Sequence, residues 1–222
     1  MLRKPLSESL APSMQASASL KHSFSRQHLF AAKYFARRSA DIEASLANPS
    51  EEEKTQHRAY VTGAILSAIA YLESSVNEFY LEAVDNNRNT LGSLSASVVS
   101  SLASTWPRVE SLAILDKFEE ALNIASVAPF NKGNYPFQDA ASLAKLRNAL
   151  VHYKPEWDDQ AIVHSNLEQR LVGRFKTNPF TPSGSLWFPH QCLGAGCASW
   201  SVGTATSFMD EFCTRMAIPR RY

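Results

Sequence analysis

The sequence predicts an all-α protein, an up-and-down bundle of about six to seven helices. Two observations support this fold class. Apolar residues recur at intervals of three and four over long stretches, which is the spacing of one face of a helix. No stretch sustains the alternation of apolar and polar residues that a half-buried strand requires. Proline and polar clusters interrupt the periodic stretches, so several helices are expected rather than one.

The N-terminal part of the chain divides at about residue 23. Residues 1–22 are mostly small and polar and contain Pro5 and Pro12, which favours a flexible N-terminal segment over a transit peptide. Residues 23–222 are predicted to form a single helical domain. Its first helix is expected to begin at Ser23 and to stop before Asn48 and Pro49.

The second helix has the clearest pattern in the chain. Ser50 can cap its N-terminus and Glu53 can complete a capping box, so the helix is predicted to run from there to about Val84. Its core-facing line comprises Val61, Ile65, Ala68, Leu72, Val76, Phe79 and Ala83. Leu72 lies in the middle of this line and is expected to be buried.

The later elements are shorter and are separated by loops. Pro107 is expected to open a helix, because proline is favoured at the first helical position. The predicted order is a polar turn at 85–90, a helix at 94–106, a helix from Pro107, a loop at 129–136, a helix at 136–153, a helix ending at Leu171, an irregular aromatic loop at 172–195 and a last helix at 197–217.

The helix predicted at 136–153 has two different sides. The apolar side is expected to carry Leu143, Leu146 and Leu150. Asn148 and His152 are four residues apart and so lie one above the other, roughly opposite these leucines. Arg147 lies on the flank, and its long side chain can reach either of them. An arginine, an asparagine and a histidine therefore gather on the side that the leucines do not bury.

The segment R-N-A-L-V-H at 147–152 fits the R-N-x-x-x-H motif, and the chain resembles the HEPN-domain family. The flanking L-R-N-A-L-V-H-Y-K-P-E-W at 146–157 is similar to a bacterial branch of that family, as are A-Y-L-E-S-S-V-N-E-F-Y at 70–80 and the last helix from Cys197. The resemblance covers residues 52–218. It implies a HEPN-type bundle, usually dimeric, and many members are metal-independent ribonucleases.

The resemblance implies that Arg147, Asn148 and His152 are catalytic. Cleavage of RNA without metal needs a base for the ribose 2′-OH and positive charge where the phosphorane forms. An imidazole can serve as that base or as the acid for the leaving oxygen, and a guanidinium donates to phosphate oxygens. One helix offers one histidine. Two motif helices facing each other across a twofold axis would offer an acid and a base.

Two further groups of residues are candidates for the site. The supporting candidates on the second helix are Glu73, Asn77 and Glu78. A solvated helix face is the favoured interpretation for them; orientation of Arg147 or His152 is the alternative. The substrate-binding candidates are Tyr153, Lys154 and Trp157. Their aromatic rings could stack on an unpaired base, although such rings more often pack against neighbouring helices.

Composition limits the partners and the compartment. The formal net charge of +1 argues against nonspecific coating of DNA, yet permits a local RNA site. Three cysteines, an odd number, favour a reducing, cytoplasmic location over a disulfide framework. No uninterrupted apolar run approaches the roughly 18 residues that span a bilayer, so no membrane is expected.

A zinc site is the one metal alternative in the sequence. His190, Cys192 and Cys197 could be ligands, but structural zinc takes four and no fourth is evident. Neither a metal nor another cofactor is therefore predicted.

The first functional hypothesis is a metal-independent endoribonuclease that acts on RNA as a homodimer through the motif helix. The resemblance implies a toxin of a toxin–antitoxin pair or a phage-defence effector, so an antitoxin protein is a possible partner. The alternative is a non-catalytic HEPN-like module that binds a nucleotide, RNA or a partner protein.

Overall fold

A computed structural model describes residues 21–155, 164–182 and 184–220 of the 222-residue chain. These residues form eight α-helices and contain no strand, which confirms the all-α helical bundle. The helices are α1 (Ser25–Ser45), α2 (Glu51–Val84), α3 (Arg88–Leu91), α4 (Ala96–Val109), α5 (Ile114–Ile124), α6 (Phe137–Val151), α7 (Ser165–Leu171) and α8 (Ala195–Arg215).

Helix α2 is the centre of the bundle. It begins with the predicted capping box, in which the Ser50 hydroxyl accepts from the Glu53 N–H and the Glu53 carboxylate accepts from the Ser50 N–H. The bonds from the Ser50 backbone and hydroxyl lower the pKa of Glu53. All seven residues of the predicted core-facing line, Leu72 included, are buried. Around this line pack α1, α4, α5, α6 and α8.

The apolar composition of α2 follows from its central position. Its length and a mean hydropathy of 1.3 over 18 residues would also allow it to cross a bilayer. Half of that window is buried inside the bundle, however, and core helices commonly meet the same two criteria. A place in the core is sufficient to explain these features.

The region between α2 and α5 differs from the prediction in two respects. The polar turn contains a one-turn helix, α3, because the Asn87 side chain accepts from the Asn89 N–H and caps it. Pro107 does not open a helix but lies in the last turn of α4, and the Glu110 N–H still donates to the Trp106 carbonyl. Because proline has no N–H, the Ala103 carbonyl lacks the bond that residue 107 would donate, and α4 ends two residues later at Val109.

Helix α6 carries the motif and ends slightly earlier than predicted. Its last residue is Val151, and His152 is the C-cap rather than part of the last turn. Leu143 and Leu146 are fully buried, as predicted. Leu150 is only partly buried, so the expectation of a third core leucine is wrong. The buried side of α6 ends one turn before the helix does.

The segment after α7 is irregular, as predicted, and its aromatic side chains pack inward. Residues Trp187–Gln191 form a single wide helical turn, here called the aromatic turn, in which Phe188 is buried. Phe175 packs on Trp200 of α8, with ring centroids 5.4 Å apart. Helix α8 then closes the bundle against α1, α2 and α6.

Candidate functional site

The three motif residues lie at the C-terminal end of α6, away from the buried leucines. Asn148 and His152 are exposed, and Arg147 is half-buried. This is the arrangement that the helical spacing predicted, because Leu143 and Leu146 occupy the opposite side. The motif therefore lies on the exposed side of α6, and the buried leucines on the other side fix the helix in the core.

His152 is joined to Asn148 through the backbone. Its N–H donates to the Asn148 carbonyl at 2.9 Å, with φ −108° and ψ 31°, so the chain leaves the helix at the histidine itself. The side chain of His152 therefore starts beside the last carbonyl groups of α6, at the negative end of the helix dipole.

Among the residues that the structure describes, the side chains of Arg147, Asn148 and His152 make no hydrogen bond or ion pair. Val151, next to the histidine, is 54% exposed. Ala144 is half-buried against the core. The apolar surface beside the motif is therefore exposed at Val151 and partly covered at Ala144.

Tyr153 packs against neighbouring aromatic rings, and part of its own ring stays exposed. Its ring lies nearly parallel to the His164 imidazole, with centroids 6.1 Å apart, and it also contacts Phe188 of the aromatic turn. It nevertheless remains 43% exposed, which leaves part of the ring accessible. Lys154 is exposed. Trp157 lies outside the described residues.

The supporting residues on α2 serve other parts of the fold. Glu78 accepts hydrogen bonds from the start of α1, and Asn77 accepts one from Lys117 Nζ at 2.9 Å. The prediction that these two side chains solvate a helix face is wrong, and both make their described bonds away from the motif. Glu73 is half-buried. Sequence spacing shows which face of α2 these residues share, but not which neighbouring helix that face meets.

The three residues of the zinc alternative have different surroundings. Cys192 and Cys197 are buried, and burial raises the pKa of both thiols. His190 Nδ1 instead lies 3.3 Å from Arg58 Nη2. No cluster of three potential metal ligands occurs among the residues that the structure describes.

A cavity at the start of α2 was not predicted from the sequence. The cavity measures about 340 Å³ and is lined by Lys54 and Arg58 of α2 and by His190 of the aromatic turn. The four-residue spacing of Lys54 and Arg58 was a usable signal, because it places both cations on one face of the helix. Nothing in the spacing indicated that His190, so distant in sequence, would join them.

No protein-family model, no curated protein and no solved structure matched this chain.

Proposed function

We propose that this protein is a metal-independent endoribonuclease of HEPN type that acts as a homodimer through α6. The supporting observation is the presence of an arginine, an asparagine and a histidine on the exposed side of one helix end. Arg147 and Asn148 lie in α6, His152 caps it, and the buried Leu143 and Leu146 hold the helix in the core. An imidazole can act as an acid or a base, and a guanidinium and an amide can donate to a phosphate, which are functions that cleavage without metal uses.

The proposed reaction is transesterification within the RNA strand. A His152 imidazole removes the proton from the ribose 2′-OH, whose oxygen then attacks the adjacent phosphorus. The P–O5′ bond breaks, and a protonated imidazole donates a proton to the departing 5′-oxygen. Arg147 stabilises the negative charge of the phosphorane, and Asn148 positions the phosphate. The products are a 2′,3′-cyclic phosphate and a 5′-hydroxyl.

A second copy of the chain completes the proposed site. The mechanism uses a base and an acid, and each chain contributes one His152. The motif of a single chain lies on open surface beside the exposed Val151, where water competes for every charged contact. A twofold contact through this surface would bring the two histidines together, cover the valines and exclude water.

One observation favours the non-catalytic alternative. A catalytic histidine is usually oriented by a hydrogen bond to its second ring nitrogen. No described residue of the same chain makes such a bond to His152. If the second copy does not supply that partner, the same surface suits binding of RNA or a protein better than cleavage.

The two functions are distinguished by incubating the full-length protein with single-stranded RNA, with a DNA copy and with RNA plus chelator. We expect RNA to be cut, DNA to remain intact and the chelator to have no effect, with 2′,3′-cyclic phosphate ends. A requirement for added metal, or cleavage of DNA, would contradict the mechanism. Binding without cleavage across a broad RNA panel would favour the non-catalytic module.

A cellular test addresses the proposed role as a toxin or defence effector. Induced expression of the wild-type chain should arrest growth and degrade RNA, whereas His152→Ala at the same abundance should do neither. Equal arrest by both proteins would separate toxicity from the motif. A neighbouring antitoxin would be identified by its ability to relieve only the wild-type arrest.

A further inference from the structure

We propose that the cavity at the start of α2 binds a small phosphorylated molecule. Its volume of about 340 Å³ lies at the lower end of the range for small-molecule pockets, roughly 300–1,000 Å³. One wall is the first two turns of α2, and the other is formed by residues within 178–182 and 185–190. This inference does not depend on the ribonuclease proposal, because none of the motif residues lines the cavity.

The α2 wall has a positive charge without a matching carboxylate. Lys54 and Arg58 are four residues apart on one helix face, so their charges repel each other. Lys54 pairs with Glu51 at 2.7 Å. Arg58 has no carboxylate partner among the described residues, and its described acceptor is His190 Nδ1, 3.3 Å from Nη2. An anion that accepts from the other N–H groups of the Arg58 guanidinium would supply the missing charge.

A second carboxylate near the cavity, that of Glu43, is hydrogen-bonded within the fold. His57 is only 1% exposed, and its Nε2 lies 2.8 Å from the Glu43 carboxylate. The same carboxylate oxygen accepts from the Ala195 N–H at the start of α8, at 2.6 Å. Glu43 is thus directed toward the imidazole and the positive end of α8. Glu43 therefore does not pair with Arg58, whereas Glu51, which also lines the cavity, pairs with Lys54.

The loop wall is held by its own hydrogen bonds. The Asn178 N–H donates to the Gln191 carbonyl at 2.7 Å, and the Thr181 hydroxyl donates to the His190 carbonyl at 3.2 Å. The Gln191 side chain donates to the Ser185 carbonyl at 2.6 Å. These bonds fix the backbone on both sides of His190. A ligand would therefore meet a site whose wall is already formed, which lowers the entropy cost of binding.

The chemistry of the lining favours a phosphate over other groups. A guanidinium, an ammonium and an imidazole reach the cavity from two walls, so they can contact different oxygens of one multivalent anion. Phe180, whose ring lies edge-on to His57 at 5.1 Å between centroids, and Leu186 add apolar surface for the body of the ligand. A sugar-sized phosphate monoester matches this combination of charge, polarity and volume.

Isothermal titration calorimetry on the full-length protein tests this site with three probes: inorganic phosphate, ribose 5-phosphate and ribose. We expect both phosphates to bind and ribose 5-phosphate to bind more tightly, whereas ribose should not bind. Arg58→Gln should weaken phosphate binding roughly 10- to 100-fold, the loss expected for a hydrogen bond to a charged group. Arg37→Gln removes an exposed arginine of α1 outside the cavity and should bind as wild type does.

Three results would overturn the proposal. The first is that neither phosphate binds the wild-type protein. The second is that Arg58→Gln binds with wild-type affinity, which would place the ligand elsewhere. The third is that Arg37→Gln weakens binding as much as Arg58→Gln, which would indicate attraction to overall charge. Because Arg58 is exposed, its variant should fold, and an unchanged thermal transition without ligand checks this.

Discussion

Glu78 of α2 caps the first turn of α1 by accepting three hydrogen bonds, two of them from Ser25. Its Oε1 accepts from the Phe24 and Ser25 N–H groups at 2.9 Å each, and its Oε2 accepts from the Ser25 hydroxyl at 2.6 Å. The N-cap residue of α1 is Phe24, whose side chain cannot accept a hydrogen bond. A residue more than 50 positions away thus performs the capping that the local sequence lacks.

The first prediction is that Glu78→Ala destabilises the protein. The change leaves two N–H groups at the start of α1 and the Ser25 hydroxyl without their acceptor, and we expect a cost of about 1–3 kcal/mol. Urea unfolding should show a lower midpoint with an unchanged slope. Glu73→Ala, a half-buried acid on the same helix without a described bond, should cost less. Equal losses would contradict a capping role for Glu78.

The second prediction is that the contribution of Glu78 depends on pH. Burial alone would raise the pKa of Glu78, but hydrogen bonds from Ser25, Ser23 and Phe24 outweigh burial and lower it. A lowered folded-state pKa means that the contribution is complete above the unfolded value, roughly 4.3, and is lost as pH falls through the folded value. The difference in unfolding free energy between wild type and Glu78→Gln should therefore shrink below pH 4. A difference that grows with acid would contradict this assignment.

The third prediction ranks two leucines. Leu72 is fully buried in α2, so Leu72→Ala should cost about 2–5 kcal/mol. Leu150 is only partly buried near the end of α6, so Leu150→Ala should cost less, since less surface returns to water. Chemical denaturation of both variants measures the order. The reverse order would show that the end of α6 is packed more tightly in solution, for example by a partner.

The sequence predicted the fold where local rules are sufficient. The capping box of Ser50 and Glu53 defines the start of α2, and its seven-residue line is buried because periodicity alone selects one face of a helix. Pro107 was misjudged because the local rule assigns proline to the first turn of a helix, where its missing N–H costs no hydrogen bond, whereas α4 holds it in its last turn. Val109 in that turn is fully buried, and a local rule does not include such packing.

The candidate site was predictable only within its own helix. Spacing placed Arg147, Asn148 and His152 on the exposed side of α6, because one helix determines their relation. The roles of Glu78 and Asn77 depend on where α1 and Lys117 pack against α2, which spacing within α2 does not specify. The partial burial of Leu150 has the same origin, since it depends on how far the neighbouring elements extend along α6.

The fourth prediction concerns assembly. Under the proposed function, Val151 lies in a twofold contact through α6, so Val151→Asp should place two carboxylates against each other and convert a dimer into a monomer. Val84→Asp, a change at a valine of similar exposure at the end of α2, should leave the mass unchanged. Light scattering at micromolar concentration reports both masses. A monomeric wild-type protein would remove the composite site.

The fifth prediction concerns the chemistry of the motif. Under the proposed function, His152→Ala should slow RNA cleavage by roughly 10²–10⁴, the range for a positioned acid–base group. Arg147→Ala should also be severe, and Arg147→Lys should restore only part of the rate because lysine lacks the planar fork of donors. His152 is exposed and bonds to the fold through its backbone, so its variant should unfold at the wild-type midpoint.

The matched control is His22→Ala, which removes an exposed histidine before α1 and should cut RNA at the wild-type rate. Undiminished cleavage by His152→Ala would exclude the mechanism even if the protein binds RNA, whereas equal loss in His22→Ala would trace the effect to general charge.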